Sequence, residues 1–335
     1  MDSLTQIVLG AAVAEVTLGK KIGNKAMLWG AVAGTIPDLD VLAKQFTDIV
    51  TANEMHRGFS HSILFSVVAA PIFGWLVSKI YRKSKEATWK QWSWLFFWSL
   101  ITHPLLDAHT TWGTQLFWPL DLKVSYQNIF VADPLYTLPF LFCTAAAMFY
   151  HRTNSRRSSI NRLGIILSTS YMALTLGLKG YAYFKFENSL KAQDIEYNEI
   201  SNRPTPLNSI LWTANVDADS SYFIGYYSIF DTQDQISFNQ LDKNRDDFKE
   251  IMKEELVQRL IKLCKGWYII QKTEEGYAFN DLRFGMLSFA EETEEFVFRY
   301  NLIYVDGTLT VTQRQPEIDN AKEMFAILWS RLKGN

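Results

Sequence analysis

Apolar residues are distributed unevenly along this chain. Between residues 4 and 184 they gather into six stretches, 4–18, 26–36, 63–81, 92–106, 134–150 and 163–184, separated by more polar or charged segments. A helix crossing a bilayer needs about 20 consecutive, mainly apolar residues. Stretch 63–81 has that length, and 92–106 opens with Trp92 and Trp94, a pairing expected at a membrane interface. The first two stretches are short, rich in small residues and interrupted by Glu15. Ser3 and Gln6 have the spacing of a capping box and predict a helix start there, and Pro37 ends the second stretch. The pattern predicts an α-helical transmembrane bundle over residues 1–185, with four clear membrane segments and two weaker ones.

Beyond residue 186 the period changes. Residues 186–208 read as a linker punctuated by Pro204 and Pro206. Alternation of apolar and polar positions then predicts strands at 209–216, 222–230, 267–271, 296–304 and 309–312. Amphipathic periodicity predicts helices at 246–264 and 317–332. The second half, 209–335, is therefore expected to be a soluble α+β domain with a mainly antiparallel sheet.

Charge orients the membrane segments. Loops 19–25, 82–91 and 151–162 carry Lys20, Lys21 and Lys25; Arg82, Lys83, Lys85 and Lys90; and Arg152, Arg156, Arg157 and Arg162. Basic loops stay cytoplasmic, which predicts a multi-pass protein of the bacterial cytoplasmic (inner) membrane with its C-terminal domain on the other side. A net charge of -2 gives no electrostatic case for a nucleic-acid partner. Cys143 and Cys264 form no framework and read as free thiols. The start, Met1-Asp2, lacks the basic region of a secretory signal and is expected to be retained.

The polar clusters between the stretches hold the candidate chemistry. They are Asp38-Leu39-Asp40; His56-Arg57-Gly58-Phe59-Ser60-His61-Ser62; and His103-Pro104-Leu105-Leu106-Asp107-Ala108-His109, which together contain four of the five histidines. The loop charges place all three on the same, non-cytoplasmic side. Imidazole and carboxylate are the side chains that bind catalytic divalent ions, and ionisable groups at membrane depth are functional candidates by default. His103 and Asp107 are four apart and share a helix face, although Pro104 disturbs that geometry. His56 and His61 are five apart, which suits a turn better than one helix face. Asp38 and Asp40 could face the same way in an irregular turn after Pro37. Six metal-ligand candidates result: Asp38, Asp40, His56, His61, His103 and Asp107. Any of Asp38, Asp40 and Asp107 could instead serve as a general base. Mixed nitrogen and oxygen donors favour zinc, with manganese or another divalent ion as alternatives, and such an ion lowers the pKa of water toward about 7. Arg57 could neutralise a carboxylate or grip an anionic substrate. His109, Thr110 and Thr111 could orient ligands. Ser60 could cap the next helix, and Asp133 reads as a helix cap. Two other readings stay open: an ion-coupled transporter, and a non-enzymatic scaffold around a structural metal.

Met1-Asp2-Ser3-Leu4-Thr5-Gln6, Gly34-Thr35-Ile36-Pro37-Asp38-Leu39-Asp40, His56 to Ser62, and His103-Pro104-Leu105-Leu106-Asp107 continuing to Thr111-Trp112-Gly113-Thr114 resemble the membrane-bound metal-dependent hydrolase family named after the bacterial proteins YbcI and YdjM. The resemblance covers roughly residues 1–185. It implies an integral inner-membrane protein and a metal-dependent hydrolase distantly similar to zinc-dependent phospholipase C and P1-type nucleases, which points to phosphoester substrates; a site within headgroup reach would favour a lipid-linked one. Many relatives carry Thr-His where this chain has Thr5-Gln6, which puts a full dinuclear ligand set in doubt.

Overall fold

A computed structural model describes residues 1–84, 86–286, 296–314 and 321–334. The chain forms two compact units. The first comprises residues 1–42, 55–177 and 206–209; the second comprises 43–54, 178–205 and 210–335.

The first unit is helical. Helix α1 (Ser3–Ala14) is capped by Asp2, which accepts from the Thr5 amide at 3.1 Å and the Thr5 hydroxyl at 2.5 Å, rather than by the expected Ser3/Gln6 pair. It continues through a π-helical turn, Glu15–Gly19, into the single turn Lys20–Ile22. The wider turn carries Glu15 inward, where it meets Arg157 in a two-pronged ion pair at 2.6 Å for each contact. Helix α2 (Asn24–Thr35) lies directly against α1. Gly10, Gly30 and Gly34 make that approach possible: a Cβ on Gly10 would overlap the Gly30 carbonyl oxygen and lie 3.2 Å from Gly34 Cα. Gly30 and Gly34 have the small-xxx-small spacing that lets membrane helices touch through their backbones.

Pro37 bends the chain by 42° into a 3-10 helix, Pro37–Gln45. After a short helix α3 (Ile49–Met55) come α4 (Ile63–Ile80) and α5 (Trp89–Asp107). Ser62 caps α4, and Thr88 with Gln91 forms a capping box on α5. Lys85, expected in the intervening basic loop, lies outside the described residues. Ala33, Ala69, Ala70, Leu95, Phe96 and Leu100 join these helices in one core. Trp92 belongs to that core and not to an interface: it is 1% exposed and stacks on Tyr81 at 5.5 Å, whereas Trp94 is open. Asp133 starts α6 (Pro134–Met148) by accepting from the amides of Leu135 and Tyr136. Its other oxygen accepts from Tyr171 at 2.9 Å and Ser209 at 3.0 Å. Helix α7 runs from Ser155 to Ala192.

Among the described residues, α4 and α7 are long and apolar enough to cross a membrane, and the bent pair of α2 with the 3-10 helix makes a third if it counts as one span. That is fewer than the four to six read from the sequence. The reason is length and polarity. The 15 residues of α6 rise about 22 Å against a hydrocarbon core of about 30 Å. Helix α1 stops after 12 residues, and α5 carries Lys90, Gln91, Ser93, Ser99 and Thr102 among its aromatics.

The second unit contains two four-stranded antiparallel sheets, β1-β2-β3-β4 and β5-β6-β7-β8. The strands are β1 (Glu199–Pro204), β2 (Leu211–Asp217), β3 (Ser221–Ser228), β4 (Phe238–Asp242), β5 (Tyr268–Lys272), β6 (Tyr277–Met286), β7 (Phe296–Val305) and β8 (Thr308–Arg314). Tyr222, Ile224, Trp267, Ile269 and Leu282 pack between strands of the two sheets, and Ala182 and Phe186 of α7 cover Trp212 and Ala214. Asp306-Gly307, both at positive φ, turns β7 into β8, as a two-residue hairpin requires. Residues 186–208, read as a linker, hold the end of α7 and β1. The helix expected at 246–264 divides into two 3-10 turns, Arg245–Phe248 and Ile251–Lys253, followed by α8 (Glu255–Leu263). The closing helix α9 is described over Ala321–Leu332; positions 317–320, also expected in it, lie outside the described residues.

Candidate metal centre

Four of the six ligand candidates meet. Asp38, His61, His103 and Asp107 each offer one atom, and these four atoms lie within 4.8 Å of one another. His61 Nε2 is 3.1 Å from His103 Nε2, 3.5 Å from Asp38 Oδ1 and 3.4 Å from Asp107 Oδ2. His103 Nε2 is 3.4 Å from Asp38 Oδ1 and 3.6 Å from Asp107 Oδ2. A tetrahedron with metal–ligand bonds of about 2.0–2.1 Å has edges of about 3.3–3.4 Å, so the five separations that involve the two imidazoles are close to those a zinc-sized ion needs. His61, His103 and Asp107 are almost fully buried, while the Asp38 side chain is 26% exposed.

Local structure aims each donor. Helix α5 runs through Pro104 to Asp107, so His103 and Asp107 stay on one face. The Nδ1 of His103 hydrogen-bonds to Gly34 O at 2.7 Å. That bond turns Nε2 toward the centre and fixes the tautomer. His61 ends a 3-10 turn, Phe59–His61, and its Nδ1 lies 3.3 Å from Asp40 Oδ2 and 3.0 Å from Ser60 Oγ. Ser60 thus serves this arrangement, and the helix cap falls to Ser62.

Asp40 and His56 stand beside the four donors and not among them. In a 3-10 helix residues two apart point about 240° apart, so Asp38 and Asp40 diverge. Asp40 Oδ1 pairs with His56 Nδ1 at 3.0 Å, while its Oδ2 accepts from the Arg57 amide at 2.8 Å and from Ser60 Oγ at 3.1 Å. The His56 ring centroid is 6.2 Å from that of His61. Arg57 holds a left-handed backbone conformation, φ 59°, which delivers its amide to Asp40. Strain of this kind costs about 1–3 kcal/mol and persists where surrounding bonds enforce it.

Asp107 is held from several directions. Its Oδ1 accepts from Gln6 Nε2 at 2.9 Å and from the Met1 amino group. Arg57 Nε lies 3.0 Å from Oδ2, yet not in line for a hydrogen bond, and Oδ2 is a buried oxygen with no hydrogen-bond donor. A cation at the centre would satisfy it. Arg57 Nη1 donates to Thr110 Oγ1 at 2.7 Å, and Thr110 donates to Asp107 O. Arg57 therefore neutralises a carboxylate and is committed to it. His109 bonds to Asn128 Oδ1 at 2.8 Å, apart from the four donors. Sequence reasoning had no role for Gly34 O, and Gln6, read as part of a capping box and as a departure from relatives, donates to Asp107.

Three carboxylates, Asp38, Asp40 and Asp107, face the Arg57 guanidinium and the Met1 amino group. The consequence falls on His61: burial alone would lower its pKa, but Asp107, Asp38 and Asp40 outweigh burial and raise it to about 9. At His56 burial prevails over Asp40, and its pKa is lowered. Burial also lowers that of His109.

The model of the YdjM inner membrane protein family matches residues 1–186, and the chain belongs to that family. Inner membrane protein YbcI of Escherichia coli (strain K12) is 33% identical over 104 residues, which cover 30% of this chain and 57% of that relative. The chain thus spans a little over half the length of the curated relative it matches. No solved structure matches.

Proposed function

For this member of the YdjM family we propose a membrane-bound, metal-dependent hydrolase of phosphoester or lipid-linked substrates, multi-pass in the inner membrane and active at its outer face. The observation that carries the reading is the set of four converging donors, Asp38, His61, His103 and Asp107, whose ligand atoms lie within 4.8 Å of one another. These are the proposed ligands, with Asp40, His56 and Arg57 around them. Two imidazoles and two carboxylates favour zinc over hard-oxygen ions. An ion held there would supply Lewis acidity toward a phosphoryl oxygen and acidify water. The chain's own groups divide the remaining work. Gly34 O and Asp40 fix the imidazoles. Gln6 and Arg57 hold Asp107. Asp38, the most exposed of the four donors, is the group proposed to meet substrate and to accept a proton from that water. The basic loops at 19–25, 82–91 and 151–162 support the orientation, and a pocket at the headgroup level suits an amphiphilic phosphoester.

The test is metal analysis of the purified full chain together with phosphodiesterase assays. About one zinc or manganese per chain is expected, with metal and hydrolysis lost together in His61→Ala. Wild type that retains no divalent ion would end the proposal. One observation favours a second reading: four protein donors can close a tetrahedron, as structural zinc sites do. Chelation that unfolds the first unit would support a structural ion; chelation that leaves the fold but abolishes turnover supports the enzyme.

A further inference from the structure

Large apolar side chains stand outward on the segments around the metal centre. Loop 114–124 is closed at its base by two backbone bonds between Thr114 and Val124, at 3.0 and 2.9 Å. Its tip, Phe117-Trp118-Pro119-Leu120-Asp121-Leu122, leaves Phe117, Trp118, Leu120 and Leu122 between 38% and 64% exposed. Asp121, the charged residue of the tip, is turned back and accepts from Gln115 Nε2 at 3.3 Å. A turn in water is normally built from polar residues, glycine and proline, and contiguous exposed apolar surface marks contact with a partner or a membrane. We infer that the substrate is a membrane phospholipid taken directly from the bilayer, and that loop 114–124 inserts among its acyl chains. The inference rests on the proposed hydrolysis and narrows its substrate class.

Continuity with a membrane helix identifies the occupant as lipid. Leu116 O accepts from the amide of Ile63, the first residue of α4, at 3.0 Å. Helix α4 is long and apolar enough to cross a bilayer and is open along most of its length. Phe59 joins the two elements, its ring 4.9 Å from Trp118 and 5.4 Å from Phe65 of α4. The loop tip and the start of α4, where Ile63 and Leu64 are exposed, thus form one apolar surface. Trp118 is the side chain most favoured where such a surface leaves the hydrocarbon for the headgroups.

The same loop is tied to the donors. Its base rests on the turn that supplies His61: Gln115 N donates to Arg57 O at 3.0 Å, and Thr114 Oγ1 donates to His61 O at 3.3 Å. The 3-10 helix that supplies Asp38 exposes Leu39 and Leu42, which are three apart and so lie on one ridge. Both of these ligand-bearing segments therefore carry apolar side chains outward. That suits a phosphoester with acyl chains and gives nothing to a small soluble one.

The test uses the full chain, loaded with zinc, in dodecyl maltoside micelles. Mixed phosphatidylethanolamine and phosphatidylglycerol are offered at varied mole fraction, and methyl p-nitrophenyl phosphate is offered as a soluble ester. Wild type is compared with the double variant Leu120→Asn, Leu122→Asn, changed at two exposed positions. In parallel, an NBD label on Leu120→Cys, in a Cys143→Ser background, is read in proteoliposomes with and without brominated acyl chains. Wild type should hydrolyse the lipids. The double variant should need at least about a tenfold higher lipid fraction for half-saturation, since two half-exposed leucines no longer enter the acyl region. Its metal content and its turnover of the soluble ester should be unchanged. The label should emit to the blue and be quenched by brominated lipid. A label that stays in water would overturn the inference, as would one that shifts without lipid quenching because a second copy covers it. Equal losses on lipid and soluble ester, or a wild type that hydrolyses the soluble ester and not the lipids, would overturn it while leaving the hydrolase reading in place. A loaded wild type inert toward both would overturn the two together.

Discussion

Replacing Gly10 by alanine should loosen the metal centre without touching a ligand. The added Cβ would lie 3.0 Å from Gly30 C, would overlap the Gly30 oxygen and would sit 3.2 Å from Gly34 Cα. Carbon atoms pack best at about 3.5–4.0 Å, so α1 and α2 must part by roughly 0.5–1 Å. Gly34 O is the acceptor for His103 Nδ1 at 2.7 Å. Adding about 1 Å takes that contact beyond the 3.2 Å usual for a hydrogen bond. Overpacking itself costs about 1–3 kcal/mol, and losing such an orienting bond lowers metal affinity about 10–100-fold. Gly74→Ala is the control. Its Cβ meets Ser93 Cα at 2.6 Å between α4 and α5, equally crowded but bonded to no ligand. Chelator competition on both variants, with thermal melting alongside, separates the effects. Both should lose stability; only Gly10→Ala should lose affinity. Equal zinc affinity in Gly10→Ala and wild type would refute the argument that backbone contact between these helices sets the His103 geometry.

Three further outcomes follow from buried groups. Glu15→Ala strands the Arg157 guanidinium, both side chains being 2% exposed, and should cost about 3–5 kcal/mol in chemical denaturation, while a Glu15→Met, Arg157→Met pair recovers most of it; a single variant as stable as wild type would contradict this. His61, with its pKa raised to about 9 in the ion-free protein against about 6.5 unfolded, contributes stability fully below about pH 6.5 and loses it as pH rises through about 9, so zinc loading near pH 7.5 should expel about one proton; calorimetric heats independent of buffer ionisation would refute it. Cys264 is 1% exposed, and burial pushes its thiol far up, so a thiol reagent should label it only on unfolding; labelling at the native rate of a surface thiol would show that burial to be wrong.

What the sequence made legible was chemistry on helices; what it hid was chemistry on turns and on the backbone. His103 and Asp107 share a face because α5 keeps its period through Pro104, and spacing alone conveys that. Asp38 and Asp40 part because the turn is 3-10 helical, and nothing in Asp-Leu-Asp distinguishes that from an extended bend. Gly34 O was invisible, since every residue carries a carbonyl and only the fold decides which one an imidazole meets. Trp92 looked interfacial by type and is core by position. In the second unit β6 escaped notice because Asn280, Asp281 and Arg283 are buried in it, which breaks the alternation that marks a strand. Strand β1 escaped for the same reason, with Asn202 and Arg203 buried ahead of Pro204.

The stretch between the aspartates and the histidines has its own consequence. The backbone quits the first unit after Leu42, builds α3 within the second, and re-enters at Met55. There Asn53 donates to Tyr300 at 3.1 Å, and Glu54 receives Arg259 at 2.6 Å. Two recognition motifs are thus stitched to opposite ends of a thread whose middle is knotted into late-translated sequence. A ribosome that has finished the first 192 residues has not yet made Arg259 and Tyr300, the anchors of that thread. Truncating the gene after the family-matched region would leave Asn53 and Glu54 without Tyr300 and Arg259.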